Sequence, residues 1–146
     1  MNGQTVVVRK RLPATCEEVF DAWLDAEGMR RWMCPGPVTS CEVVMETRVG
    51  GRFRIVMTGP GMEVVNTGEF RMLDRPSKLV FTWVSSRWNE QETLVTVELQ
   101  PHKEDCELVL THERFPLEHS SGQLIEGWSE ILEKLGGELV QKRERN

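Results

Sequence analysis

From position 38 to position 115 apolar and polar residues alternate with a period of two, and the alternation breaks at Gly50-Gly51, Gly59-Pro60-Gly61, Arg75-Pro76, the polar stretch 85–92 and the stretch 102–105. A period of two sends successive side chains to opposite faces of a strand, and the Gly and Pro breaks supply turns between strands. The segment reads as a β-meander of about six strands. One face carries Cys41, Val43 and Met45; Phe53, Ile55 and Met57; Val64, Asn66, Gly68 and Phe70; Leu79, Phe81 and Trp83; Val95, Val97 and Leu99; and Leu108, Leu110 and His112. The other holds Glu42, Glu46, Arg52, Arg54, Glu69, Arg71, Thr82, Thr96 and Glu98. One-sided strands of this kind belong to an antiparallel sheet with water on its back.

The flanking segments switch to helical spacing. Residues 5–12 form a strand ended by Pro13, and Thr15-x-x-Glu18 is a capping box followed by Val19, Phe20, Trp23 and Leu24. A second short helical turn carries Met29 and Trp32, and Cys34-Pro35-Gly36-Pro37 cannot continue it. After Pro116 a cap signal, Ser120-x-x-Gln123, precedes an apolar stripe of Leu124, Trp128, Ile131, Leu132, Leu135 and Leu139. A helix of roughly 20 residues spans ~30 Å, the width of a small domain, so it must lie across the sheet. The order predicts an α+β fold. A curved antiparallel sheet of about seven strands wraps around a long C-terminal helix, with two short helices after the first strand, in one domain over 1–146. A twisted sheet gripping one helix leaves a natural pocket between them.

Composition narrows the function. The net charge of -5 is spread along the 146 residues and argues against nucleic-acid or anionic-membrane partners. No apolar run reaches membrane-spanning length, and the three valines Val6, Val7 and Val8 are too short for a secretory signal. The expected location is the cytoplasm, with Cys16, Cys34, Cys41 and Cys106 reduced. There is no CxxC, and His102, His112 and His119 do not cluster with the cysteines, so neither a metal nor another cofactor is expected. Cys16, in the first turn of a helix, reads as structural, with no resolving cysteine identifiable from spacing.

The stretches "EEVFDAWLD", "RRWMCPGP", "GGRFRIVM", "NTGEFRML", "KLVFTWV", "THERFP" and "EGWSEILEKL" occur in order. In this the chain resembles the activator of heat-shock protein 90 ATPase homologue-like family, within the START and birch-pollen-allergen superfamily called SRPBCC. The likeness runs over about 6–139. It implies the helix-grip fold and a hydrophobic ligand cavity between sheet and long helix; the superfamily includes lipid carriers, polyketide cyclases and chaperone co-factors. The usual pattern has a second Trp after Trp32 and a Gly before the Pro, where this chain has Met33 and Cys34.

The candidate cavity walls are Trp32, Met33, Phe53, Ile55, Met57, Phe70, Phe81, Trp83, Trp128 and Leu132, with Asn66 and His112 as polar lining. His112 is either a core histidine bonded to Asn66 or to a backbone carbonyl, or a ligand-facing group able to move a proton near neutral pH. The shortage of inward polar partners favours an open, hydrated surrounding, in which replacement by leucine costs little stability. The inward positions read from the strands lack Asp, Glu, Ser and Lys, and the chain has no tyrosine, so a general acid–base pair is hard to assemble. The leading expectation is therefore a binding protein for a small hydrophobic or aromatic molecule. The alternatives are a protein-interaction module acting as chaperone co-factor, or a cyclase or hydratase using His112. Edge strands leave the chain a monomer or a homodimer.

Overall fold

In the computed structural model, which describes residues 4–88, 90–116 and 121–145, alternation and helical spacing fall where the sequence puts them. The order is β1 (Gln4–Leu12), α1 (Cys16–Ala22), α2 (Ala26–Trp32), β2 (Ser40–Met45), β3 (Arg52–Gly59), β4 (Met62–Asp74), β5 (Lys78–Ser85), a 3-10 turn (Ser86–Trp88), β6 (Glu92–His102), β7 (Asp105–Phe115) and α3 (Ser121–Arg145). The strands form one antiparallel sheet in the order β1-β7-β6-β5-β4-β3-β2. The six-strand meander is thus extended at its last member by the first strand of the chain, which makes the seventh. The described part of α3 is 25 residues, longer than the expected 20. Ser120, its expected cap, lies outside the described residues. No helix among the described residues is long and apolar enough to cross a membrane.

Local chemistry explains the short helices. The Thr15 hydroxyl accepts from Glu18 N at 3.1 Å and the Glu18 carboxylate accepts from Thr15 N at 2.9 Å, the reciprocal pair of a capping box. Asp25 caps α2 by accepting from Gly28 N at 3.1 Å. Arg75, in the β4–β5 turn, then holds Asp21 of α1 in a two-pronged ion pair at 2.9 and 3.0 Å, which lowers the Asp21 carboxyl below its usual value.

The two ends of α3 are held differently. Its C-terminal half lies on β1 and α2: Leu132, Leu135 and Leu139 are buried, and the Gly136 backbone comes close enough to Leu12 that an added Cβ would sit 3.5 Å from that side chain. Ion pairs Lys10–Glu133 at 2.6 Å and Arg31–Glu138 at 2.7 Å flank the contact. The N-terminal half, around Leu124, Gly127, Trp128 and Ile131, stands over β3, β4 and β5 with space beneath it.

One position departs from the strict alternation. Thr82 belongs to the outward set by period, yet it is 4% exposed and its hydroxyl accepts from Glu69 N at 2.8 Å. A register irregularity lies nearby in β4, between Phe70 and Met72. Gly68 sits in the same place. A Cβ there would lie 2.0 Å from Thr82 O and 2.3 Å from the Phe53 ring, so only glycine fits. Gly68→Ala should therefore lower unfolding free energy by about 2–4 kcal/mol in urea titrations. Gly137 lies on the exposed side of α3, where an added Cβ would meet nothing within 4 Å. Its replacement by alanine should instead raise unfolding free energy by about 0.5–1 kcal/mol.

Candidate ligand-binding cavity

Beneath the first half of α3 lies a cavity of about 410 Å³. Its walls come from the loop residues Pro35, Gly36, Pro37 and Val38; from Met57, Met62, Val64, Asn66, Trp83 and Ser85 of β3, β4 and β5; and from Arg87, Trp88 and Phe115. Gln123, Leu124, Glu126, Gly127, Trp128, Glu130 and Ile131 of α3 form the roof. The loop is tied to the roof. Gly36 N donates to Glu130 Oε1 at 3.1 Å, and the Lys134 ammonium donates to the Cys34 carbonyl.

Of the residues expected to line a cavity, Met57, Asn66, Trp83 and Trp128 do. Met33, Phe53, Ile55, Phe70 and Phe81 instead surround, with Trp23, Met29, Met45 and Trp83, a gap of about 10 Å³, no larger than one water. That side is a filled aromatic core: Trp23 and Trp32 meet edge-on at 5.1 Å, and Phe53 and Phe81 at 5.6 Å. Trp32 at 1% exposure and Leu132 at 0% belong to the core as well. Period two selects a face of the sheet, and α1 and α2 fill one part of that face while α3 stands off the other.

His112 is the main correction. It is fully buried, does not line the cavity and does not touch Asn66; both ring nitrogens have side-chain partners. The Trp128 indole N–H, which can only donate, donates to Nδ1 at 3.0 Å. Nε2 must then carry the proton and donates to Thr93 Oγ1 at 2.8 Å, while the Thr93 hydroxyl donates to the Trp83 carbonyl. The ring also packs edge-on against Trp88 at 5.6 Å and Trp128 at 5.9 Å. Burial pushes the imidazole from its usual 6.5 down to about 3, and protonation of Nδ1 would aim a second N–H at the indole. The ring is neutral at physiological pH and out of reach of the cavity, so the geometry gives no support to a cyclase or hydratase mechanism through His112.

Thr93 and Ser85 are inward polar residues that the sequence reading missed, at 1% exposure each. Ser85 opens the polar stretch 85–92 and Thr93 directly follows it, although each continues the inward phase of Trp83 or Val95 by one step of two. The lining residue Trp88 was missed as well, although it is a lone aromatic within that polar stretch. The cysteines also meet unexpectedly: Cys16 Sγ lies 2.9 Å from Cys106 Sγ, joining α1 to β7, and both thiols are free and buried. Burial raises the Cys106 thiol above its usual value, and pushes Cys41 up to about 12. Among the described residues no group of three or more His, Cys, Asp or Glu side chains could hold a metal ion.

A single antiparallel sheet curved about a long C-terminal helix, with a cavity between them, defines the helix-grip class of proteins within the SRPBCC superfamily. The sequence profile described as Activator of Hsp90 ATPase homolog 1-like protein matches residues 13–139, and the chain belongs to that family. Protein CV1439 from Chromobacterium violaceum has a similar crystal structure, with a TM-score of 0.85 at 22% identity over 91% of this chain and 94% of that one. Mll3558 from Rhizobium loti gives 0.77 at 26% identity over 93% and 96%. CalU16 from Micromonospora echinospora gives 0.69 at 22% over 98% and 80%. No curated protein matches the chain in sequence.

The role of His112 fixes two outcomes. His112→Leu leaves Trp128 Nε1 without an acceptor and Thr93 Oγ1 without a donor, so unfolding free energy should fall by about 2–4 kcal/mol, the reverse of the small effect expected for a cavity-facing ring. The second outcome is a pH dependence. Between pH 6.5 and about 3 the unfolded chain binds a proton that the folded ring refuses, so stability is full above pH 6.5 and declines as pH falls through that window. The slope from this group is about 1.4 kcal/mol per pH unit. Urea midpoints measured from pH 7 to pH 4.5 on wild type and His112→Gln should differ by this one-proton slope.

Proposed function

We propose that the protein binds a small hydrophobic or aromatic molecule in the cavity between the sheet and α3. The observation that carries this reading is the cavity itself. Its volume of about 410 Å³ stands toward the lower end of the range for small-molecule sites, about 300–1,000 Å³, and suits one or two rings better than a long lipid chain. Three tryptophans, Trp83, Trp88 and Trp128, share the lining with Met57, Met62, Val64 and Ile131. Flat rings and flexible thioethers adapt to an aromatic guest at little conformational cost. Family membership and the helix-grip fold support the same reading. The working location is the cytoplasm, where four buried free thiols stay reduced.

The three lining tryptophans supply the assay, since a guest against them changes their emission. Titration of a hydrophobic and aromatic library, with native mass spectrometry of protein taken from its own host, should reveal a bound small molecule. A chain that always arrives empty and takes up no library member overturns the reading. Gly127→Leu is the matched control. Among the described residues a Cβ at Gly127 comes within 4 Å of Pro35 alone, at 3.9 Å, and both residues line the cavity, so the added side chain is expected to occupy ligand space. Uptake should weaken at least tenfold while the thermal midpoint holds or rises.

A further inference from the structure

The inner wall of the cavity is more polar than an apolar guest requires. Asn66 and Ser85 are directly paired across β4 and β5, both line the cavity, and they are 2% and 1% exposed. Asn66 Nδ2 donates to the Ile55 carbonyl at 3.4 Å, the weak end of the hydrogen-bond range, and no other hydrogen bond reaches this amide group among the described residues. Its Oδ1 is left as an acceptor and its second N–H as a donor. Ser85 Oγ accepts from Arg87 N at 3.2 Å, and its own proton has no acceptor among the described residues. An acceptor and a donor therefore stand side by side on a buried surface, and a purely apolar ligand would leave both unpaired at a real cost.

We propose that the ligand carries a neutral polar head that both donates and accepts, a hydroxyl or a primary carboxamide, seated against Asn66 and Ser85 with its apolar body against Trp83 and Trp128. This inference rests on the binding role proposed above. The head is neutral because the inner wall holds no charge. The charged residues of the cavity, Arg87, Glu126 and Glu130, are exposed, one cation against two carboxylates, and Glu130 already accepts from Gly36 N. A carboxylate at Asn66 would be stripped of water without a buried cation, and an ammonium without a buried anion.

Four naphthalenes that differ only in the 2-substituent test this by calorimetry: 2-naphthol, 2-naphthamide, 2-naphthoate and 2-methylnaphthalene. The naphthol and the naphthamide should bind wild type at least tenfold more tightly than the other two. In Asn66→Leu, and independently in the milder Ser85→Ala, that preference should shrink to threefold or less, with 2-methylnaphthalene binding more tightly than to wild type because it no longer leaves that polar group unpaired. Equal or tighter binding of 2-methylnaphthalene or 2-naphthoate to wild type overturns the polar-head assignment and leaves the binding reading standing. A preference that survives both substitutions overturns the role of this pair. Failure of all four to bind a protein that takes up other members of the hydrophobic library overturns the head-group assignment and leaves the binding reading standing.

Discussion

The hydrogen bond from the Trp128 indole to His112 holds the open half of the molecule together. The C-terminal half of α3 is secured to β1 and α2 by packing and ion pairs, but the half that roofs the cavity is separated from β3, β4 and β5 by that cavity. Trp128 reaches down from that half and ends on a ring anchored in β7, which is fixed in turn through Thr93 of β6 to the Trp83 carbonyl of β5. Three strands and a helix thus share one chain of donors and acceptors. Each member is buried, so each bond is strong and each omission costly. The imidazole is suited to the middle position because, when neutral, it accepts at one nitrogen and donates at the other.

That chain also divides the interior. On one side α1 and α2 press Trp23, Trp32 and Met29 onto the aromatic face of Phe53, Phe70 and Phe81, where ring centroids lie 5.1 to 6.3 Å apart and no ligand-sized space is left. On the other, Trp83 and Trp128 meet at 5.3 Å and turn their far surfaces to the cavity. These two tryptophans are at once the end of the core and the start of the site. A core residue here is not a wall by virtue of sharing the sheet face; it is a wall only where no short helix covers it.

How much of this was legible follows from which interactions are local. Period two fixed the strands and helical spacing fixed the helices, because burial of one face is decided by neighbours two, three or four residues away. Turn residues placed the breaks, and the capping box placed α1. Register was less accessible. The irregularity between Phe70 and Met72 and the burial of Thr82 depend on how β4 meets β5, and periodicity within either strand does not contain them. The cavity was less accessible still. Met57, Asn66, Trp83 and Trp128 were named, but Phe53, Ile55 and Phe81 share their face and phase, and only the placement of α1 and α2 separates the two sets. The loop carrying Pro35, Gly36, Pro37 and Val38 has no periodicity to read. His112 was singled out for good reason, as a polar residue in an apolar row; its partners, 16 and 19 positions away, lie on a helix and a strand whose docking the sequence does not state.

The cavity is a property of particular side chains and not of the fold alone. Its lining has small residues where larger ones would fit: Gly127 has open space toward Pro35, Val64 and Val38 are short, and Ser85 places a hydroxyl where Phe81 and Leu79, on the same face of β5, place bulk. Larger apolar groups at these positions would bury more surface and add about 25 cal/mol for each Å² removed from water. The closed half of the same interior uses that option throughout, with Phe and Trp at the corresponding inward positions. The chain forgoes this stabilisation on one side only, beneath the half of α3 that is suspended by Trp128 and His112. Two polar groups with unused hydrogen-bonding capacity then stand on the inner wall. Forgone packing and unused polar capacity at one place are what a site needs and what a core avoids.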